Sequence, residues 1–274
     1  MPMRYATLSV GLPRQWSTTW SVPSSVGWVP FNTNRERWVM KVTTNQKLLQ
    51  QRSQLVRWTS MVGLMVLGGG LIASFNEAYY FWSLPALLIG FVLANISAYN
   101  ANRYVREPRA DLALERALRG FDNNYHLFNY TAAAPHVLLT PSRLYVITAK
   151  RQEGVIRKQG ARWKRNFSLK RVFLFLNEEG LGNPTQEALS DAEKLRAQLR
   201  KVLSEDLPPI EPLVVFIHPN AALEMEGTSG SEYDGVPAML AKDLKKYLRS
   251  QPKGTLLSAE ARRRLTEVLQ GDVV

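Results

Sequence analysis

Two long uncharged runs dominate the pattern of hydrophobic and polar positions in this chain. Residues 58–76 and 78–102 are runs of 19 and 25 residues without a charge, and only Glu77 separates them. A helix of the shorter length measures roughly 28 Å, close to the hydrocarbon thickness of a bilayer. The pattern predicts a transmembrane hairpin of two helices over residues 58–102. A buried pair of core helices is the alternative, which we disfavour because soluble helices rarely lack charge for so long.

The residues that flank the two runs predict the orientation of the hairpin. Trp58, the aromatic cluster at residues 79–82 and Tyr99 lie at the ends of the runs, as interfacial anchors do. The flanking cations are Lys47, Arg52 and Arg57 before the hairpin and Arg103, Arg106 and Arg109 after it. Because the connecting loop contains no lysine or arginine, we expect both termini and the soluble domain in the cytoplasm. The expected location is the bacterial inner membrane.

Small residues recur along the predicted hairpin. Gly90, Ala94 and Ala98 are spaced by four residues, and Gly69 with Ala73 repeats this spacing in the first helix. Small side chains allow helices to approach closely in a membrane. We expect them to pack the hairpin on itself, and association into an oligomer or a membrane complex is the alternative.

The first forty residues have no apolar periodicity and a single acidic residue, Glu36. They lack the apolar core that a secretory signal requires. We expect a disordered leader; a transit peptide and an over-extended gene model that should start at Met40 are the alternatives. Residues 41–57 then predict a short basic juxtamembrane helix.

Shorter apolar runs after the hairpin predict a soluble α/β domain from about residue 108. Continuous apolar runs at residues 137–139 and 144–147, joined by turn residues, predict a β-hairpin that is buried on both faces. Periodicity and capping residues predict the other elements. These are helices over residues 111–119, 184–203, 237–249 and 259–270, strands over residues 155–157 and 213–217, and a loop over residues 224–234. Residues 108–220 would form the main domain, and residues 221–274 would complete it.

Composition narrows the possible chemistry. The chain has no cysteine, which excludes disulfides, thiolate metal sites and a cysteine nucleophile. The net charge of +12 is uneven, because residues 103–172 contain 15 lysines and arginines against 5 acidic residues. His126, His136 and His218 lack the spacing of metal ligands, and we interpret them as structural histidines in or beside apolar runs.

The residues around the predicted β-hairpin follow an ordered pattern. They are Pro135-His136 before the first strand, Thr140-Pro141 in the turn, Thr148-Ala149-Lys150 at the end of the second strand, and then Gly154 and Trp163. This pattern resembles the nuclease-related (NERD) domain of the restriction-endonuclease-like superfamily. There the corresponding pattern is Asp-His, a Gly-Pro turn, Glu-x-Lys, a glycine and a tryptophan. Residues 114–130 and 183–186 are also similar to the family. The resemblance implies a restriction-endonuclease-like α/β fold, with a mixed sheet flanked by helices.

The departures from the family pattern bear directly on function. Nucleases of this superfamily hold a divalent metal between the Asp and the Glu, because a hard cation needs anionic oxygen ligands. Pro135 and Thr148 occupy these two positions. We therefore expect no ordinary metal site and no cofactor. Lys150 is the remnant of the catalytic centre, with Glu115 and Gln186 as lesser candidates.

A basic segment follows the β-hairpin. Its residues are Lys150, Arg151, Arg157, Lys158, Arg162, Trp163, Lys164 and Arg165. Cations interleaved with an aromatic residue favour contact with phosphates and stacking on a base, which makes DNA or RNA the first candidate ligand. Contact with anionic lipid and a merely solvated basic face are the alternatives.

Three function classes remain open at this point. The first is a membrane-anchored binding or interaction module with a degenerate nuclease site, which we favour. The second is an active nuclease in which Asp122, Glu153 and Glu115 supply relocated carboxylates for Mg²⁺. The third is a structural subunit of a membrane complex.

Overall fold

Two long apolar helices precede an α/β domain. The computed structural model describes residues 39–159, 162–165, 180–203, 207–225 and 235–271, so most of the predicted leader lies outside the described residues. Strand β1 (Lys41–Thr44) precedes helix α1 (Gln46–Ala73), and helix α2 (Tyr80–Asn100) follows. Both helices are long and apolar enough to cross a membrane. A π-helical segment (Ala101–Val105) ends α2.

The start of α1 corrects the prediction of a basic helix from residue 41. Residues 41–44 pair with a later strand, and the helix begins only after Asn45. The Asn45 side chain accepts a hydrogen bond from the backbone N–H of Leu48 at 2.9 Å, which is the usual role of an N-cap asparagine. Thr43 and Thr44 also favour an extended backbone because β-branched side chains fit strands better than helices.

The two apolar helices pack against each other through small residues. A Cβ added at Gly90 would lie 2.6 Å from Cγ of Leu67, so only glycine allows this approach. The hydroxyl groups of Ser60 and Ser97 lie 2.5 Å apart across the same interface. Gly90 therefore packs the hairpin on itself, as expected from its spacing. Gly69 does not, because it is exposed and no described atom lies within 4 Å of an added Cβ.

A six-stranded mixed sheet forms the centre of the domain. Its strand order is β1-β2-β3-β4-β7-β9. Strands β2, β3 and β4 are antiparallel, whereas β1 pairs parallel with β2, and β7 pairs parallel with both β4 and β9. The strands of this sheet after β1 are β2 (His126–Asn129), β3 (His136–Leu139), β4 (Leu144–Lys150), β7 (Ile210–Phe216) and β9 (Ala238–Leu240).

Helices cover both faces of this sheet. On one face, α3 (Ala110–Leu118) and α5 (Ala241–Ser250) bury leucines against Tyr145 and Ile147. On the other face, α4 (Pro184–Val202) and α6 (Ala259–Gln270) pack against Val146 and its neighbours. Because β3 is buried along its whole length, its apolar run is continuous, as a strand between two helical layers requires. The expected fold class, a mixed sheet flanked by helices and preceded by two apolar helices, is confirmed.

A second, three-stranded sheet packs against β7 of the central sheet and against α4. Its order is β6-β5-β8, with β6 antiparallel and β8 parallel to the central strand. The strands are β5 (Gly154–Gln159), β6 (Arg162–Arg165) and β8 (Ala221–Met225). Residues Arg157 to Arg165 of the predicted basic segment thus include the end of β5 and the whole of β6, which pair antiparallel.

Several predicted elements near the C-terminus need correction. The predicted loop at residues 224–234 begins too early, because residues 224 and 225 still belong to β8; its remainder lies outside the described residues. The predicted helix at residues 237–249 begins too early as well, because residues 238–240 form β9 beside β7. The helices predicted at residues 111–119, 184–203 and 259–270 are confirmed within a few residues.

Candidate functional site

A cavity of about 380 Å³ lies beside the carboxyl end of β4. Residues 147–150 of β4 and the following Arg151 line it, and so do His136 at the start of β3 and the preceding Pro135. Helix α4 contributes the opposite wall. Its lining residues are Gln186, Glu187, Ser190, Asp191 and Lys194. Pro135, Thr148 and Lys150, which match the Asp, Glu and Lys positions of the family pattern, are distant in sequence but line the same cavity.

Lys150 is held in an ion pair across this cavity. Its Nζ atom lies 2.7 Å from both carboxylate oxygens of Glu187. The Lys150 side chain is only 5% exposed, whereas that of Glu187 is 47% exposed. The first turn of α4 fixes Glu187 in place, because Asn183 caps the helix and Pro184 suits its first position. The sequence analysis did not single out Glu187.

The cavity does not offer the anionic ligand set of a metal-dependent nuclease. Pro135 contributes no ligand from its side chain, and Thr148 contributes a neutral hydroxyl whose oxygen is buried with no hydrogen-bond partner among the described residues. The lining carboxylates are both paired, Glu187 with Lys150 and Asp191 with Lys194 at 2.9 Å. Among the residues that the structure describes, no group of three or more His, Asp or Glu could hold a metal ion. A hard cation would need more anionic oxygen than this.

The carboxylates predicted as relocated ligands do not reach the cavity. Glu115 is exposed on α3, and Asp122 accepts hydrogen bonds from Asn124 in the turn before β2. Neither residue lines the cavity, nor does Glu153. Gln186 does line it, from the first turn of α4. The three carboxylates that the nuclease alternative names are therefore not among the residues that line the cavity beside Lys150.

A neutral histidine forms part of the inner wall. His136 is buried, and its Nδ1 atom lies 2.8 Å from the Oδ1 atom of Asn129. The amide group of Asn129 donates to Thr44 at 3.2 Å, so the imidazole donates its Nδ1–H to the amide oxygen. Burial lowers the pKa of His136 to about 4. The interpretation of His136 as a structural histidine is confirmed, and so is that of His126, which is buried and bonded to Thr43 at 2.8 Å.

One buried acid near the cavity has no counterpart in the sequence analysis. Asp111, in the first turn of α3, is buried and paired with Arg109, whose Nη2 atom lies 2.5 Å from its carboxylate. Its charge also reaches the phenol of Tyr130, whose pKa is raised chiefly by burial and further by Asp111. The available signal in the sequence was an acidic residue between two apolar residues, Ala110 and Leu112, at the start of a predicted helix.

The basic segment divides between the two faces of the small sheet. Arg157, Arg162 and Lys164 are exposed, and the strand register places them on the outer face. Arg157 lies 2.6 Å from Glu224, the partner residue on β8. Counted over the residues that the structure describes here, three cations against one carboxylate give this outer face a positive charge.

The remaining aromatic and basic residues of the segment point inward. Lys158 is buried, with its ammonium group 5.2 Å from the centre of the Trp163 ring. Trp163 donates its indole N–H to Thr185 at 2.9 Å and packs against Phe216. Arg165 donates to the backbone carbonyl of Glu153. These contacts give Trp163 a packing role. A residue that stacks on a base would instead present its ring to solvent.

Arg151 lines the cavity and also contacts the segment that follows α2. Its guanidinium donates to the backbone carbonyl oxygens of Asn102 and Glu107. Arg103 lines the same cavity, and the ring of Tyr104 packs against that of Tyr130 at 5.5 Å between centroids. The residues that follow α2 therefore form part of the cavity wall.

Comparison with known proteins gives one family match. Residues 104–217 match the family model described as nuclease-related domain. The chain matches none of the curated proteins and none of the solved structures compared with it. The matched residues include the β3–β4 hairpin, Lys150 and the whole of α4.

Proposed function

This chain carries a nuclease-related domain over residues 104–217, and from that premise we propose that it is a membrane-anchored binding module whose nuclease centre no longer cleaves. One observation carries the proposal. The lysine that matches the Glu-x-Lys motif is neutralised by Glu187, while Pro135 and Thr148 stand where metal ligands are required. A phosphodiester would meet no metal-activated water there.

Nucleic acid is the ligand that the charge distribution supports best. Among the described residues of the small sheet, the outer face presents Arg157, Arg162 and Lys164 to solvent, with Glu224 as its one carboxylate. Cations on an open sheet face suit the repeating phosphates of a nucleic-acid backbone, and the affinity then depends on salt rather than on base sequence. About three phosphate contacts predict a slope of roughly −2 to −3 in log K against log salt.

Membrane anchoring rests on the exposed apolar surface of α1 and α2. Large apolar side chains such as Leu64, Ile72, Phe81 and Leu84 are exposed on these helices. A water-soluble protein rarely exposes so large an apolar surface, whereas lipid would cover it. The flanking arginines favour a cytoplasmic domain, at the inner membrane of a bacterium.

Binding can be tested with the full chain in nanodiscs of phosphatidylcholine, which carries no net charge. We expect short DNA and RNA duplexes and single strands to bind at low salt and to dissociate steeply as salt rises. The variant R157E/R162E/K164E should lose this binding. The matched control, K246E/R263E/R264E, changes the same charge on exposed positions of α5 and α6 and should retain it. Equal loss in both variants would contradict a defined surface.

A second candidate function has one specific observation in its favour. Glu187 and Asp191 lie one turn apart on α4 and line the same cavity as Lys150. If ligand binding released these carboxylates from their lysines, they would be the acids available to a divalent cation. Incubation of the same nanodiscs with Mg²⁺ or Mn²⁺ tests this: cleavage that EDTA and Glu187→Gln both abolish would replace the binding proposal. If neither binding nor cleavage occurs, a role as a subunit of a membrane complex becomes the leading account.

A further inference from the structure

A second cavity, of about 570 Å³, lies between α3 and the start of α5. It shares no lining residue with the cavity beside Lys150. Its apolar lining includes Leu112, Ala113, Ala117 and Ile217. These side chains come from one face of α3 and from the end of β7.

The polar lining of this second cavity is mostly cationic. Arg109, Arg116 and Lys242 contribute positive charge, and Glu107 is the one carboxylate among the described residues that line it. Arg109 is already paired with Asp111. Within the described part of the chain, Arg116 and Lys242 have no ion-pair partner, so their charges remain available to a ligand.

His218 adds a hydrogen-bond donor to the same cavity. Its Nδ1 atom accepts a hydrogen bond from the backbone N–H of Asn220 at 3.2 Å. A neutral imidazole that accepts at Nδ1 must carry its proton on Nε2, which is then a donor. The cavity thus combines donors at Arg116, Lys242 and His218 with an apolar surface.

We propose that this cavity binds an organic phosphate. Phosphate oxygens only accept hydrogen bonds and carry negative charge, which matches the ammonium, guanidinium and imidazole donors. The organic part would lie on the apolar residues of α3 and on Ile217. Two sources fit this chemistry, a phospholipid headgroup and a soluble nucleotide. The headgroup has access because Glu107 and Pro108 line the cavity and follow α2 closely in the chain.

The test measures binding to the full chain in phosphatidylcholine nanodiscs by calorimetry. Three probes are compared: inorganic phosphate, adenosine monophosphate and the short-chain lipid dihexanoylphosphatidic acid. We expect at least one organic phosphate to bind about tenfold or more tightly than inorganic phosphate, because its organic part buries apolar surface. Tighter binding of the lipid identifies a headgroup site, and tighter binding of the nucleotide identifies a soluble ligand.

Charge reversal then locates the site. Arg116→Glu and Lys242→Glu should each weaken binding about tenfold or more, because each removes a charge-assisted contact and adds repulsion. Lys246→Glu is the matched control: it makes the same change on an exposed position one turn further along α5 and should leave binding unchanged. Arg116 and Lys242 are exposed, so these variants should keep the thermal unfolding curve of the unaltered protein.

Two results would overturn the proposal. One is that neither organic phosphate binds better than inorganic phosphate; the other is that Lys246→Glu weakens binding as much as Lys242→Glu. The outcome is separable from that for nucleic acid, because R157E/R162E/K164E should still bind the organic phosphate. Conversely, Arg116→Glu should still bind DNA or RNA through the outer face of the small sheet.

Discussion

The ammonium group of Lys150 lies 2.7 Å from both carboxylate oxygens of Glu187. Pro135 and Thr148, at the positions where the family pattern has its acids, line the same cavity. The ion pair with Glu187 explains how a buried lysine persists without the metal-binding acids that the family pattern places beside it. A buried cation without a counter-charge is costly, and Glu187 supplies that charge from the first turn of α4. The acid therefore compensates Lys150 and also blocks it from other anions.

Removal of Glu187 should destabilise the protein through Lys150. We expect Glu187→Ala to lower the free energy of unfolding by about 1–3 kcal/mol, less than for a fully buried pair because Glu187 is half exposed. The double variant K150M/E187A should recover part of this loss, because it leaves no uncompensated charge. Denaturant unfolding of the unaltered protein, Glu187→Ala, Lys150→Met and the double variant in detergent micelles measures the coupling. Additive losses would show that the two residues do not depend on each other.

Sequence reasoning located the β3–β4 hairpin and α4 because their signals are local. A continuous apolar run, a turn and a helix that Asn183 caps need no tertiary information. Strands β8 and β9 were missed for the opposite reason. Both are rich in alanine, leucine, methionine or glutamate, which favour helices, and they become strands by pairing with β5 and β7.

The site was predictable only in part. The resemblance to the family identified Lys150, Gln186 and the two missing ligands, all of which line the cavity. Glu187 could not be found in this way, because its contact with Lys150 joins residues 37 positions apart and requires the packing of α4 on β4. The inward direction of Lys158 and Trp163 likewise follows from strand register, which composition does not contain.

Stability should fall as the pH decreases from about 7 towards 4. Burial lowers the pKa of both His126 and His136 to about 4, below the value of about 6.5 in the unfolded chain. The unfolded state therefore binds more protons in this window, and the stabilising contribution that is complete above pH 6.5 is lost as the pH falls. The shift of His136 corresponds to about 3 kcal/mol.

Replacing one histidine should reduce this pH dependence. His136→Gln keeps a donor for Asn129 but cannot be protonated in this range, so the slope of stability against pH between about 4 and 6.5 should fall by about half. Thermal unfolding at several pH values gives the slope. An unchanged slope would mean that His136 does not titrate between the folded and unfolded states.

The effect of replacing glycine by alanine in the apolar hairpin should depend strongly on which glycine is replaced. Gly90→Ala places a Cβ within 3.0 Å of the backbone nitrogen of Leu67, which cannot move without displacing α1. Gly68→Ala is the matched control, because nothing lies within 4 Å of its added Cβ. We expect the first variant to lower the unfolding temperature in detergent by several degrees and the second to leave it unchanged or raise it, since alanine favours helices. Similar melting of the two variants would contradict the close approach of α1 and α2 at Gly90.

The absence of cysteine makes the orientation of the hairpin directly measurable. Asn76→Cys places the one thiol in the connection between α1 and α2, and Lys253→Cys places it after α5. The experiment uses cells whose outer membrane is permeabilised and whose inner membrane is intact. If both termini face the cytoplasm, a membrane-impermeant maleimide should label Asn76→Cys in these cells, whereas Lys253→Cys should react only after lysis. Both residues lie outside the helices, so each thiol should be labelled fully once detergent is added. Labelling of Lys253→Cys alone before lysis would show the opposite orientation. Protection of both thiols until lysis would show that the connection between the two apolar helices does not face the outside of the membrane.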